Sequence, residues 1–215
     1  MYLFPIGDVS SSYSYGTLYG KTYTFFEPND SADGKYLRNI QTLTTQDRLI
    51  DTYKRNDPFR QIDYSYKDIL EREYVPIKKF ARLVEGGLNS FYVVDLSCGE
   101  YVGSVASPYE LTVDDSSYYS TLPSAGAYYG FAWNGTDFMI GHVTSYNSTT
   151  VTLSKDYGVA TVANAMLYPI YEVFVQPGGL DNFKTTVFAD DNHSPNHGWV
   201  REGSVTFVTK YPVRV

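Results

Sequence analysis

The sequence is poor in cysteine, in long apolar runs and in basic residues, and each shortage argues against a class of protein. Its single cysteine, Cys98, cannot form an intrachain disulfide, so the fold does not depend on an oxidising compartment. No run approaches the roughly 18 apolar residues of a membrane span, and the first residues lack the pattern of a secretory signal. We therefore expect a soluble protein made in a cytoplasm, in which the sequons at Asn134, Asn147 and Asn192 are chance matches.

The charge balance argues against nucleic acid as a partner. The chain carries 24 acidic and 17 basic residues, a formal net charge of −7. Affinity for nucleic acid depends on clustered Lys and Arg side chains at the phosphates, so we expect no specific nucleic-acid binding. Neither a P-loop motif nor a glycine-rich dinucleotide motif is present, and nucleotide binding has no support.

Tyrosine is what the sequence has in abundance. There are 22 tyrosines in 215 residues, within a hydrophobic content of 43%, which is enough to bury a core. Tyrosine favours half-buried strands and contact surfaces, because its ring packs while its hydroxyl stays hydrated or paired. The composition predicts a mainly β protein with extensive contact surfaces.

The segment "KDILEREYVPIKKFARLVEGGLNSFYVVDLS" predicts one helix running into a strand, within a chain of strands and turns. Apolar residues at spacings of three and four give one stripe, and two more widen it: Leu70, Tyr74, Ile77, Ala81 and Val84, with Phe80 and Leu83. Pro76 predicts either a helix start or a kink, and Gly86-Gly87 predicts the stop. We expect a helix over about residues 70–85 that packs on the adjoining sheet.

The first half of the chain predicts strands on both sides of the helix. Asp33-Gly34 has the positive-φ preference of a tight hairpin and predicts a turn there. In "FRQIDYSY", Ile62, Tyr64 and Tyr66 alternate on one face, the period of a half-buried strand.

From about Pro108 the chain predicts short strands at close intervals. Their segments are "YELTVDD", "GAYYGFAW", "DFMIGHVTSY", "TTVTLS" and "AMLYPIYEVFV", with a strong hairpin signal at Asn134-Gly135. Five such strands indicate an inserted small barrel or sandwich. The last strands, from "NFKTTVFAD" and "WVREGSVTFVTKYPVRV", are expected to return to the sheet that carries the helix. The predicted domains are 1–103 with 176–215, and the insertion 104–175.

Candidates for chemistry have ordinary structural explanations. Asp190, Asp191, His193 and His197 contain ligand types suited to Zn²⁺ or Mn²⁺, but their spacing matches no metal signature and their neighbours describe a polar loop. We therefore predict neither metal nor cofactor.

His142 lies among apolar residues and is predicted to be a satisfied, partly buried histidine, although a Ser–His–acid triad stays open. Cys98 is predicted to pack rather than to react. Asp114 and Asp115 point to opposite faces of a strand and make a poor glycosidase pair.

The aromatic residues leave one ambiguity open. Surfaces rich in Tyr and Trp suit a sugar-stacking platform, and they equally suit a subunit interface. The candidates are Tyr118, Tyr119, Tyr128, Tyr129 and Trp133.

The order of elements resembles the distal tail and tail-tube-like minor tail proteins of long-tailed bacteriophages and gene-transfer agents. The resemblance covers about residues 40–175 and rests on "TTQDRLIDTYKRNDPFRQIDYSY", the helical segment and "GFAWNGTDFMIGHVTSYNSTTVTLSKDYG". In that family an arginine-bearing segment leads into an aromatic strand, and the corresponding residues here are Arg48 and Arg55, then Tyr64 and Tyr66. A helix with a central Phe follows, which corresponds to Phe80. A glycine turn, here Gly86-Gly87, then leads into a strand that ends near an acidic residue, here Phe91 through Asp95.

The resemblance implies a mainly β, tail-tube-like sheet or sandwich with one packing helix and an inserted small β-barrel. It also implies a non-enzymatic virion protein that forms a ring, sixfold in that family, and binds adjacent tail-tube and tip or hub proteins. Two alternatives remain: a carbohydrate-binding β-domain that uses Trp133 and the tyrosine doublets, and a metal-dependent hydrolase built on His193 and His197.

Overall fold

The structure, a computed structural model, describes residues 2–5, 7–8, 17–18, 21–22, 28, 30–37, 40–44, 50–54, 58–84, 89–107, 109–113, 129–134, 138–147, 149–154, 156–158, 162, 164–175, 180, 183–186, 200–211 and 213. Within them the chain is mainly β with one helix, α1 (Glu71–Leu83). The strands are β1 (Tyr2–Leu3), β2 (Gly7–Asp8), β3 (Thr17–Leu18), β4 (Lys21–Thr22), β5 (Ser31–Leu37), β6 (Ile40–Thr44), β7 (Ile50–Lys54), β8 (Phe59–Leu70), β9 (Phe91–Val94), β10 (Glu100–Ser107), β11 (Glu110–Val113), β12 (Tyr129–Trp133), β13 (Phe138–Tyr146), β14 (Thr150–Leu153), β15 (Tyr157–Gly158), β16 (Met166–Val175), β17 (Phe183–Thr186) and β18 (Val200–Thr209).

The main sheet is built around three long strands. β8 pairs with β5 on one side and with β18 on the other, and β18 pairs at its end with β16. Because Val173 pairs with both Phe91 and Thr209, β16 lies between β9 and β18. β1 adds to β9, β2 to β1, and β17 to the start of β18. The return of the last strands to the sheet that carries the helix, expected from the sequence, is confirmed.

Helix α1 packs on one face of this sheet. The predicted stripe is confirmed at Tyr74, Ile77, Phe80 and Val84, all buried. They form one core with the predicted strand face of β8 and with the aromatic rings of β9 and β18; its largest fully buried members are Tyr64, Tyr66, Phe4, Phe80, Phe91, Phe207, Ile62, Ile69 and Ile77. The sheet and helix therefore bury a single aromatic-rich layer between them.

The helix expected over about residues 70–85 is confirmed, and of the two alternatives for Pro76 a position inside the helix is the one observed. One detail of the predicted stripe is corrected. Leu83 does not widen the apolar stripe, because its side chain is 45% exposed. At about 100° per residue, Leu83 falls about 120° from the centre of the buried stripe, which places it towards solvent.

The tight turn predicted at Asp33-Gly34 is wrong. Both residues lie inside strand β5, where Asp33 pairs with Asp63 and Gly34 with Ile62. A Cβ atom on Gly34 would lie 2.1 Å from Nη2 of Arg60, so the glycine is required by the close approach of a side chain and not by a turn.

Six strands of the second half close into a barrel. β10 pairs with β11, β11 with β14, β14 with β13, β13 with β12, β12 with β16, and β16 again with β10. Its interior has a separate apolar core formed by Val102, Leu111, Val113, Ala132, Met139, Val143, Val151, Leu153, Val162, Ala165 and Leu167. The hairpin predicted around Asn134 joins β12 to β13, which pair antiparallel. The small barrel expected from the sequence is thus present as a closed ring of strands.

The predicted division into domains remains a prediction. The boundary after residue 103 falls inside β10, a strand that the sequence analysis did not identify, and the boundary after residue 175 coincides with the end of β16. β16 belongs to both units, because it pairs with barrel strands at its start and with the main sheet at its end.

Candidate functional site

The face of the main sheet opposite α1, called here the outer face, carries exposed aromatic side chains. Val208 pairs with Phe174 on one side and with Gln61 on the other, so the three side chains share one face. Phe59 precedes Gln61 by two residues in the same strand and therefore lies on that face too. Phe59 is 38% exposed and Phe174 is 41% exposed. The two rings lie on β8 and β16, on either side of β18, and exposed aromatic groups on one face of a sheet are typical of a surface that binds another protein.

Next to the exposed phenylalanines, the outer face carries a network of hydrogen-bonded polar side chains. Gln61 donates from Nε2 to Oδ2 of Asp63 at 2.8 Å, and Thr206 donates from Oγ1 to Oδ1 of the same carboxylate at 2.5 Å. The three side chains hold one another in place across β8 and β18. An apolar patch bordered by hydrogen-bonded polar groups is the usual anatomy of a protein interface.

A groove of about 330 Å³ opens further along this region of the sheet. Its wall includes Lys67, Lys184, Asp30 and Glu202, beside the serine hydroxyls of β8 and β18. Lys184 and Glu202 are direct cross-strand partners. Because both signs of charge line the groove, it favours no single class of charged ligand.

A buried ion pair joins β8 to the end of β9. Nε of Arg60 donates to Oδ2 of Asp95 at 2.7 Å, with side-chain exposures of only 8% and 0%. Ser97 donates to the other carboxylate oxygen from its backbone N–H at 3.1 Å and from its hydroxyl at 2.5 Å. The guanidinium also lies 4.6 Å from the ring centre of Tyr36. Such a closed set of charges fixes the strand end and leaves Asp95 no free oxygen for chemistry.

Cys98 lies beside this pair. Burial, and secondly the charge of Asp95, raise the pKa of the Cys98 thiol well above its ordinary value. A thiol that resists ionisation is a weak nucleophile, because the thiolate is the reactive form. This environment agrees with the packing role expected for Cys98.

His142 lies on the outer wall of the barrel, where it contacts one acidic side chain and one hydroxyl. Its Nδ1 is 2.5 Å from Oδ2 of Asp156, and Oγ of Ser154 lies 3.4 Å from the same nitrogen and donates to Asp156 at 3.0 Å. The imidazole lies against the ring of Tyr129, tilted by 36°, with ring centres 4.1 Å apart. In a Ser–His–acid triad the serine and the acid face different ring nitrogens. Here both are at Nδ1, so the arrangement does not activate Ser154.

The aromatic candidates from the sequence divide into two groups. Tyr118, Tyr119 and Tyr128 lie outside the described residues. Tyr129 and Trp133 are half-buried and pack against a third apolar cluster, between the barrel wall and β9. The exposed phenylalanines of the outer face were missed by the sequence analysis, although the alternation of Phe59 with Gln61 and Asp63 is the signal that could have placed them on one face.

The other predicted candidates lie outside the residues that the structure describes. They are Asp190, Asp191, His193, His197, Asp114 and Asp115, together with Arg48, Arg55 and Gly86-Gly87. Among the residues that the structure does describe, no group of three or more His, Cys, Asp or Glu side chains is placed to hold a metal ion. The same part of the chain contains no helix with the length and apolarity of a bilayer span.

No protein-family model matches the sequence, and no curated protein matches it either.

Proposed function

We propose that the chain is a virion structural protein of a tailed phage, a ring-forming distal-tail or baseplate subunit that connects the tail tube to tip or receptor-binding proteins. The proposal rests on the resemblance in element order and on one observation: α1 stabilises one face of the sheet while exposed Phe59 and Phe174 remain on the opposite face. A sheet supported from one side has its other face available for contact with identical neighbours.

The packing of α1 supports a structural role for the helix. Phe80 lies edge-on to Phe4 and to Phe91, with ring centres 5.3 Å and 5.0 Å apart. These rings bury a large apolar area, which contributes roughly 25 cal/mol per Å² to folding. In this proposal the helix is a support that packs on the sheet, and it is not a binding site.

In this proposal the barrel provides a second contact surface. A closed barrel has no strand edges of its own, so it presents loops and side chains without inviting uncontrolled strand pairing. Because β16 runs from the barrel into the main sheet, the barrel is fixed to the part of the subunit that forms the ring. In the proposed tail the barrel holds adjacent tip or receptor-binding proteins.

Negative-stain electron microscopy with mass photometry of the purified protein tests the proposal. Wild-type protein is expected to form closed rings of identical subunits. The double variant F59S/F174S removes the aromatic contact and is expected to lose the rings. Y101S is the matched control, since Tyr101 is also an exposed aromatic, at 45%, but lies on the barrel strand β10.

Other outcomes would contradict the proposal. A strict monomer that gives glycan-array hits lost on Trp133→Ala would favour the carbohydrate-binding alternative. Stoichiometric metal in the purified protein would favour the hydrolase alternative. Rings that persist in F59S/F174S would show that the outer face is not the ring contact.

A further inference from the structure

Strand β5 ends the main sheet on one side. It runs from Ser31 to Leu37 and pairs with β8 in an unbroken register, without a bulge. Among the described residues no strand pairs with its other edge. Alternate residues of an edge strand direct their N–H and C=O groups away from the neighbouring strand, so this edge has hydrogen-bonding capacity for one more strand.

The charges on β5 are arranged symmetrically about its centre. Asp33 and Lys35 flank Gly34, and both are exposed on the outer face. Neither forms an ion pair or a hydrogen bond with another described residue. Asp33 lies directly opposite Asp63, and like charges directly opposite each other destabilise a sheet. A cation on the free side of Asp33 would offset that repulsion.

We propose that β5 pairs antiparallel with β5 of a second copy of this chain, with the twofold axis at Gly34. In this register Asp33 of each copy lies opposite Lys35 of the other, which gives two cross-strand ion pairs on the outer face. The main sheets of the two copies then form one continuous sheet. The partner is the same chain because the same seven residues supply both halves of the charge complementarity.

The side chains on the helix side of β5 fit the same register. Tyr36 of each copy lies opposite Ala32 of the other, a large residue facing a small one. Gly34 has no side chain at the axis, and none could be accommodated, because a Cβ there would lie 2.1 Å from Nη2 of Arg60 and 2.3 Å from Oγ of Ser97. The axis therefore passes through the one residue of β5 that brings no side chain of its own to the contact.

This contact is separate from the ring contact proposed above. A twofold contact uses the same surface on both copies, whereas a ring contact joins two different surfaces. The two proposals can therefore fail independently, and the symmetry of the observed particles distinguishes them.

Charge reversal at the two flanking residues tests the pairing. Sedimentation velocity is measured for wild type, D33K, K35D and the double variant D33K/K35D. In D33K all four central side chains of a pair are cationic, and in K35D all four are anionic, so each single variant is expected to dimerise at least about tenfold more weakly. The double variant restores opposite charges and is expected to dimerise like wild type.

Mixing the two single variants gives the sharpest result. D33K and K35D are complementary to each other, so an equimolar mixture is expected to form heterodimers more tightly than either variant dimerises alone. Circular dichroism of each variant checks that the fold is intact. Wild-type protein that stays monomeric at about 100 µM would overturn the proposal. So would a dimer that is unaffected by either single reversal, or folded single variants that fail to combine on mixing.

Discussion

Removing the carboxylate of Asp95 is expected to be among the most destabilising single changes in the protein. The side chain is 0% exposed and accepts hydrogen bonds from Arg60 and twice from Ser97. Asp95→Ala leaves a guanidinium that is buried, with 8% side-chain exposure, without its counter-charge. Breaking a buried pair from one side costs about 3–5 kcal/mol. That is a large part of the roughly 5–15 kcal/mol by which domains are stable.

Urea unfolding followed by tyrosine and tryptophan fluorescence measures this loss. With a denaturant slope of about 2 kcal/mol per molar, the unfolding midpoint is expected to fall by about 1.5–2.5 M. The double variant Arg60→Met with Asp95→Leu removes both charges at once and is expected to lose less than the single change.

A second ion pair provides the matched control. Nζ of Lys210 and Oε1 of Glu172 are also 2.7 Å apart, the same separation as Arg60 and Asp95, but these side chains are 32% and 23% exposed. Lys210→Met is expected to shift the midpoint much less, because water screens a partly exposed pair more than a buried one. If Asp95→Ala shifts the midpoint no further than Lys210→Met, burial does not determine the strength of these pairs and the reasoning is wrong.

Three further changes have expected outcomes. Burial raises the pKa of Tyr64 and of Tyr171, so the native state keeps protons that the unfolded chain releases above about pH 10. The unfolding free energy should therefore fall as the pH rises past about 10. Either Tyr→Phe variant should flatten that dependence in urea titrations at several pH values. Phe80→Ala should cost about 3–5 kcal/mol, measured by urea unfolding, because it leaves a cavity among the rings under α1. Gly141→Ala should unfold at much lower temperature in a thermal melt, since its Cβ would lie 1.7 Å from a backbone carbonyl, while Gly103→Ala, with nothing within 4 Å, should leave the melt unchanged.

Hydrophobic periodicity predicted the strand and the helix that each bury one side against the core. The alternation of Ile62, Tyr64 and Tyr66 and the helical spacing of Tyr74 and Ile77 both reflect one buried side, which is visible in a few consecutive residues. Five of the six barrel strands were predictable for a similar reason, because closely spaced turns leave room only for short strands, whereas β10 was missed. In each case the physical cause acts within about ten residues of sequence.

The features that the sequence analysis missed depend on partners far along the chain. Asp33-Gly34 has the composition of a tight turn, but the glycine is required by Arg60, which approaches it from the adjacent strand. The pair between Arg60 and Asp95 joins residues 35 positions apart. A dipeptide signal cannot distinguish a turn from a glycine that makes room for a distant side chain.

Pro169 shows how the shared strand β16 tolerates a residue that usually interrupts a sheet. On one side, β16 pairs with β10 only at Met166 and Leu167, and with β9 only from Ile170 onward. Pro169 lies in the gap between them, and its carbonyl accepts a hydrogen bond from the backbone N–H of Asp95 on that side. Because the N–H and C=O groups of a strand residue point to the same side, the missing donor of proline would face the carbonyl of Asp95. That carbonyl accepts instead from the backbone N–H of Cys98, at 3.5 Å. The proline therefore leaves no acceptor unpaired at the point where the strand leaves the barrel and enters the main sheet.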